Sequence, residues 1–507
     1  MTTAPARTHY RATFIVLATA VGAYALLQSM VIPVLSTIQA GLHTSQNTVT
    51  WILTAYLLSA SIFTPIMGRL GDMWGKERIL IATLIALTAG SVLAALAGSI
   101  SVMLAARVIQ GIGGGVLPLS FGIVRDEFPV QKVAGAVGVL AALLAAGSGL
   151  GIVLAGPIVT ALDYHWLFWI PAIVLAVATV AARLVVPESP VRAAGRLNWR
   201  AAVLLSAWLV ALLVPISEAP TWGWGSPRVL GLIAAAIVLA AAWVAVESRS
   251  SHPLVDMRMM RIPVVWTTNL VALLIGVGMY ATFAFLPEYL QTPVSTGYGF
   301  GLSIIRSGLI LLPASIAMFA LGVASGRLTI RFGAKAVLVT GAIISIVPFI
   351  QLTAARGGQW EILVAMTLQG VGFGMVYSAM SSLVVQGVPP EQTGVASGMN
   401  ANIRTIGGSI GAAVMSSIVT ATARPDGLPQ ASGYTHGFAL LTVATVAAAL
   451  AAMLVPSAAR SLRLTRPLAE QSAAVLPPGS VIVVSAPVRG GRLPADATAW
   501  IYDPGSG

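Results

Sequence analysis

Charge is what this chain has least of. Only 9% of its 507 residues are Asp, Glu, Lys or Arg, while 57% are hydrophobic. Soluble domains carry about 25% charge, so an ordinary soluble fold is excluded. Intrinsic disorder is excluded too, because a disordered chain is poor in apolar residues. Cysteine is absent, which rules out a disulfide framework and any thiolate-bound metal. Histidine is scarce. His9, His43, His165, His252 and His436 fall in loops or near the ends of apolar runs and form no HExxH pair, so no metal site is expected. No GxxxxGK[ST] loop occurs, which leaves no P-loop for ATP. No nucleophile–base pair stands out, and an enzyme is not expected. Lysine is nearly missing: Lys76, Lys132 and Lys335 are the only ones. The preference for arginine, with Ala-rich helices, fits a high-GC bacterial genome.

What is present is a series of long apolar runs. A bilayer-spanning helix needs roughly 20 apolar residues. The chain offers fourteen such runs, at 14–36, 49–67, 79–98, 102–124, 134–161, 166–186, 201–217, 229–246, 264–290, 304–325, 336–352, 362–385, 394–421 and 438–455. A membrane barrel would instead show alternating segments of about ten residues. The first run exceeds the roughly 7–15-residue core of a cleaved signal, so it is read as a retained span. The formal charge of +12 does not mark a nucleic-acid surface, because the basic residues are scattered between runs and not gathered on one face. It reports topology. With the N-terminus placed inside, 22 of the 28 Lys and Arg fall on the cytoplasmic side and only Arg228, Arg356 and Arg424 on the other; Arg107, Arg306 and Arg404 lie within helices. The positive-inside rule then puts both termini in the cytoplasm. An odd number of spans would scramble that split. The expectation is an all-α, multi-pass protein of the bacterial plasma membrane. The segment 456–507, rich in Pro, Gly and Arg, is expected to be a largely disordered cytoplasmic tail with one strand-like run at 480–485.

The chain also repeats itself. Gly68-Arg-Leu-Gly-Asp-Met-Trp-Gly-Lys-Glu-Arg78 follows the second run, and Gly326-Arg-Leu-Thr-Ile-Arg-Phe-Gly-Ala-Lys335 follows the tenth, 258 residues later. Arg107-Val-Ile-Gln-Gly-Ile-Gly-Gly-Gly115 in the fourth run is echoed by Met366-Thr-Leu-Gln-Gly-Val-Gly-Phe-Gly374 in the twelfth, at an offset of 259. Two pairs at nearly one offset define two six-helix bundles, 1–186 and 263–455, with two inserted helices and their linkers at 187–262. Parallel repeats of this kind describe a transporter with its site at the midplane between the halves.

These residues resemble the major facilitator superfamily, and within it the fourteen-helix branch of drug:proton antiporters. The resemblance covers residues 12–455. The 68–78 segment looks like the superfamily's signature loop, and Leu104-Ala-Ala-Arg-Val-Ile-Gln-Gly111 like its fourth-helix motif. Trp222-Gly-Trp-Gly-Ser-Pro227, Leu286-Pro-Glu-Tyr-Leu-Gln291 and Asn402-Ile-Arg-Thr-Ile-Gly-Gly408 resemble this branch. The resemblance implies a major facilitator fold of fourteen spans.

It also implies a gate at Gly68, Arg69, Gly71, Asp72, Gly75, Lys76 and Arg78. The glycines permit a tight turn and close helix approach, and the Asp72 carboxylate can face a helix N-terminus, where the macrodipole favours negative charge. Ile330 stands where Asp72 would recur, so the gate should be asymmetric. Arg107 lies inside an apolar helix, where an arginine costs about 2.5–3.5 kcal/mol on insertion scales. It should face the interior and a polar partner; the resemblance favours proton coupling or electrostatic control of a nearby acid, and the alternative is a buried structural charge bonded to carbonyls or Gln28. Arg404 carries the same argument. Arg306 lies near a helix end and can snorkel. In the fifth run Gly138, Gly147, Gly151, Gly156 and Pro157 resemble the antiporter motif that packs helices closely. This copy departs from the family pattern: Ile152 replaces the proline after the third glycine, and Ala155 replaces a glycine.

The resemblance implies an Asp in the middle of the first helix, which many relatives carry. Here Gln28 stands near that place and cannot carry a proton. Among the sixteen acids Glu288, late in the ninth run, is the best candidate carrier. Tyr24, Gln28, Tyr280, Phe283, Tyr377 and Asn400 lie on helices that the resemblance places around the cavity. Such a cavity should be mostly apolar with a few polar groups and suit lipophilic substrates, cationic or zwitterionic ones included. The expected activity is export of drugs, antibiotics or natural products in exchange for protons, by a monomer in the lipid bilayer with no cofactor beyond the coupling proton. The alternative is import, or transport of an endogenous metabolite.

Overall fold

Within a bilayer a backbone N–H or C=O has no water to bond, so an apolar run must satisfy these groups within itself as a helix. The computed structural model, which describes residues 10–44, 46–189, 197–251, 253–421, 429–456, 481–484 and 499–502, contains fourteen helical stretches long and apolar enough to cross a membrane. The first six spans use α1 (Tyr10–Ser29), the short α2 (Leu35–Gly41), α3 (Gln46–Trp74), α4 (Lys76–Ala95), α5 (Ile100–Gly111) continued by α6 (Val116–Glu127), α7 (Val130–Ala161) and α8 (Trp166–Val185). Two more are α9 (Trp199–Trp222) and α10 (Pro227–Arg249), followed by the short α11 (Met257–Met260). The last six use α12 (Pro263–Gln291), α13 (Ile304–Phe332), α14 (Ala334–Ile344) continued by α15 (Ile346–Ala354), α16 (Gln359–Gly387), α17 (Thr393–Thr420) and α18 (Ala431–Leu454). Every expected run is recovered. Helix starts follow local chemistry: Ser99, Asn198, Ser226 and Ser303 each accept the backbone N–H three residues on, capping α5, α9, α10 and α13.

The repeat is visible in the backbone. Gly75 and Gly333, 258 residues apart, hold φ of 110° and 85°, values that an L side chain rarely adopts. Each lets one span turn directly into the next.

The halves meet where α7 packs on α13 and α16, and where α3 packs on α17. Small residues make this possible. On α7, Gly147 and Gly151 face Ala25 and Ser29 of α1, while Gly138, Gly149 and Gly156 face Ser378, Ser315 and Ile305 of the second half. A Cβ at Gly156 would stand 2.9 Å from Ile305. Pro157 corrects the expectation that it shares this packing. It is exposed, because one residue further along the helix turns by about 100°. Of the inserted pair, α9 packs on α3 and α17, and α10 packs on α9. The Trp224 indole donates to the Ser417 hydroxyl at 2.6 Å, fixing the loop after α9 to α17.

Residues Pro456–Gly507 form a separate unit. Val481–Val484 (β1) and Ala499–Tyr502 (β2) pair antiparallel, with Val481 opposite Tyr502. The strand-like run at 480–485 thus has a partner strand. The rest of the tail lies outside the described residues.

Candidate functional site

The helices alternate in direction, so the loops fall at two ends. Arg69, Lys76, Arg78, Arg125, Lys132, Arg327 and Lys335 lie at one, termed here the basic end; the loops after α1, α7, α9 and α12 lie at the far end. A cavity of about 440 Å³ opens between the halves. Its walls run from Gly114, Leu117 and Tyr377 at mid-depth to Ile32, Ser217, Pro220 and Ser416 near the far end. Tyr24, Gln28, Tyr280, Phe283 and Tyr377 all line it, as expected from sequence.

Asn400 does not. Its Nδ2 donates to Asn269 Oδ1 at 2.8 Å, both residues being buried, and ties α17 to α12. Two residues along a helix is a rotation of about 200°, which puts Asn402 into the cavity wall in its place. Ser217 and Pro220 of the inserted α9 were also not foreseen. The Trp222–Pro227 segment beside them was the available signal.

Both intramembrane arginines are buried, and neither has an ion-pair partner among the described residues. Arg107 is fully buried. It donates through Nε to the Ile52 carbonyl at 3.1 Å and through Nη1 to Gln110 Oε1 at 2.7 Å. Its guanidinium lies 4.3 Å from the Tyr56 ring centroid, a favourable cation–π arrangement. Gln28 is therefore not its partner. Gln110, three residues on in the same motif, is, and it passes the network on to Ser91 at 3.2 Å. Arg404 lines the cavity and lies 4.3 Å over the Tyr377 ring. Its Nε has no hydrogen-bond partner.

Glu288 lies apart from both arginines. It is exposed and lines a second pocket at the far end with Pro33, Gln291 and Pro429. The two pockets share Ile32, Ile152 and Ala284, so Glu288 stands at the mouth. Arg306, at the start of α13, is exposed as a snorkelling residue would be.

The basic end is sealed. Asp72 is fully buried and accepts backbone N–H bonds from Gly394 (3.4 Å) and Val395 (3.2 Å), in the first turn of α17. This is the helix N-terminus that a carboxylate favours. Gly68 and Gly394 let the two backbones meet: a Cβ on Gly394 would stand 2.6 Å from the Gly68 carbonyl oxygen. A second clasp was not foreseen, because Arg125 read as a topological charge. Its Nη1 donates to the Val385 carbonyl at 2.6 Å and to the Thr393 hydroxyl at 2.7 Å.

Other residues of the 68–78 loop bond within the first bundle and to the linker that follows α8. Lys76 pairs with Asp126 at 2.7 Å and stands 3.8 Å from Asp72. The Ser189 hydroxyl also donates to Asp126. Arg78 pairs with Glu188 at 3.0 Å. Gly71 lies against Leu119, whose side chain would have to shift to admit a Cβ there. Arg69 is buried within Coulombic range of Asp72, Glu247 and Asp256. In the second copy Ile330 is 72% exposed and Arg327 is exposed, so only the first copy supplies a buried carboxylate, as the sequence predicts.

Comparison with known proteins agrees with this architecture. A family model described as the Major Facilitator Superfamily matches residues 17–412 and 268–490. The chain is 30% identical over 424 residues to the multidrug resistance protein B homolog of Mycobacterium tuberculosis, covering 80% of this chain and 77% of that protein. It is 29% identical to the tetracenomycin C resistance and export protein of Streptomyces glaucescens, covering 75% and 70%. It is 28% identical to the multidrug transporter protein MdtP of Bacillus subtilis, covering 73% and 68%. In fold it resembles the proton:xylose symporter XylE, with a TM-score of 0.65 and 14% identity over 89% of this chain and 97% of that one. It also resembles the human organic anion transporter MFSD10, with a TM-score of 0.61 and 18% identity over 90% and 100%. The chain belongs to the Major Facilitator Superfamily and is a multi-pass membrane transporter, not an enzyme.

Proposed function

We propose that the protein exports lipophilic drugs, antibiotics or natural products in exchange for protons, by alternating access between the bundles 1–186 and 263–455. The observation that carries this reading is one-sided access. The central cavity extends to the far end, while Asp72 and Arg125 clasp the two halves together at the basic end. The positive-inside rule makes the basic end cytoplasmic. This conformation is then the outward-facing one, in the bacterial plasma membrane with both termini inside. Breaking the clasp and closing the far end exposes the same cavity to the cytoplasm.

The names of relatives support the direction of transport and the substrate type: two are a multidrug transporter and a tetracenomycin C resistance and export protein. Proton uptake supplies the drive. One charge crossing 100 mV releases about 2.3 kcal/mol, which sustains roughly a fortyfold substrate gradient, since about 1.4 kcal/mol is tenfold. Glu288, facing the outer mouth, is the residue we assign to receive that proton. The protein works as a monomer, with no cofactor beyond the coupling ion.

Export is tested by expressing the chain in a pump-deficient bacterial host and challenging it with a panel of toxic lipophilic compounds. Export predicts raised inhibitory concentrations for a subset. Lowered inhibitory concentrations, or heavier accumulation of the compounds inside the cells, would mean import.

A further inference from the structure

We infer that the central cavity is built for an organic anion, an aromatic carboxylate or phenolate whose charge pairs with Arg404. This rests on the reading of that cavity as the substrate site. Among the described residues no Asp or Glu lines the cavity, and Arg404 is the one side chain of full charge in its wall. Arg404 is only 4% exposed and its Nε donor is unused. A buried guanidinium without a carboxylate is costly, and an anion in the cavity removes that cost. Asn402, two residues earlier on α17, adds a second unmet demand. It is 1% exposed, lines the cavity, and neither Nδ2 nor Oδ1 has a partner. A small side-chain rotation would bring the Arg404 guanidinium and the Asn402 amide, both short of partners, to a carboxylate or phenolate in the cavity.

The fixed charge at mid-depth is positive, and the Glu288 carboxylate stands outside it at the mouth. Arg107 is buried in the nearby wall, and Tyr24 lies within Coulombic range of both arginines. A cationic drug seated beside Arg404 meets like charge and, among the described wall residues, no acid, which disfavours it. The Tyr377 ring face that could hold a cation is already covered by Arg404. Tyr24, Tyr280 and Phe283 leave apolar ring surface for the body of an aromatic ligand. The sequence expectation that cationic substrates fit is thereby narrowed to anions and to zwitterions bound through their acidic group.

Fluorescein and rhodamine 123 test this, because they share a xanthene ring system and differ in charge sign. Binding to the purified full chain in neutral detergent is followed by fluorescence polarisation under mildly alkaline conditions, with empty micelles subtracted. The inference predicts fluorescein binding at least about tenfold tighter than rhodamine 123, since one charge-assisted hydrogen bond corresponds to that factor or more. Arg404→Gln should weaken fluorescein by about ten- to a hundredfold and leave rhodamine 123 unchanged or tighter. Arg404→Lys, which keeps the charge but not the planar fork, should fall between. Equal affinities, tighter rhodamine binding or absent fluorescein binding in the wild type would overturn the inference. So would unchanged fluorescein affinity in a folded Arg404→Gln protein. The wild-type comparison needs no variant to fold. Because binding needs neither a gradient nor a direction, it can fail while resistance persists, and resistance can fail while binding persists.

Discussion

Replacing Asp72 by Asn should open the basic end of the molecule. Asparagine keeps the shape and one acceptor oxygen but removes the charge from a fully buried site. That site accepts N–H bonds from Gly394 and Val395 at 3.4 and 3.2 Å and lies 3.8 Å from Lys76. A hydrogen bond to a charged group contributes about 1.5–3 kcal/mol, against about 0.5–1.5 for a neutral one. Both bonds here are long, so the lower ends apply. Lys76 retains Asp126 at 2.7 Å and is not stranded. Gly394 and Val395 bond different carboxylate oxygens, so one bond is lost and the other weakened; the net loss to the sealed state is about 2–3 kcal/mol, which corresponds to a factor of about 30–150 in the ratio of sealed to open molecules. The absence of cysteine makes the measurement clean. Cysteines introduced at Val130 and Ile330, 84% and 72% exposed on opposite halves at the basic end, carry spin labels for electron–electron double resonance. Asp72→Asn should raise the long-distance population relative to the short one by about that factor. A far-end pair at Leu162 and Val294, 53% and 67% exposed, should shift the opposite way. An unchanged basic-end distribution would refute the assignment of Asp72 as a gate.

Two further outcomes follow from the same geometry. Glu288→Gln, at the outer mouth, should abolish substrate-dependent proton movement in liposomes while leaving fluorescein binding intact; normal coupled transport in that variant removes Glu288 as the carrier. Asn269→Leu or Asn400→Leu alone leaves one buried amide unpartnered and should cost about 1–3 kcal/mol. The double variant should cost less than the sum, with a coupling of about 0.5–3 kcal/mol. Thermal unfolding in detergent measures this, and strict additivity would contradict a direct Asn269–Asn400 contact.

The sequence and the structure agree most where lipid leaves no choice. Fourteen runs became fourteen spans because no other local structure satisfies their backbone in a bilayer. The repeat survived as the matched left-handed glycines Gly75 and Gly333, since a direct turn between spans needs a residue free of Cβ. Local reasoning also reached Asp72, because a carboxylate in a glycine loop has few favourable partners besides a helix N-terminus. It did not reach the identity of that terminus, which lies more than 300 residues away in sequence. Rotation about a helix axis was the commonest loss. Asn400 was expected in the cavity that Asn402 occupies, and Gln28 was offered to Arg107 where Gln110 serves. In an α17 rich in Gly and Ala, and an α1 apolar on nearly every face, no polar stripe marks the inward side. Arg125 was hidden for another reason: an arginine at a basic membrane edge looks the same whether it sets topology or clasps Val385 and Thr393.

In the proposed exchange, substrate and proton cross the membrane in opposite directions within one alternating-access cycle. Purified protein in liposomes, with an imposed pH gradient and a pH-sensitive dye inside, tests it most directly. Proton flux should begin only when a transported compound is added, and substrate movement against its own gradient should stop when the pH gradient is collapsed. Substrate accumulation that continues without any pH gradient would contradict it.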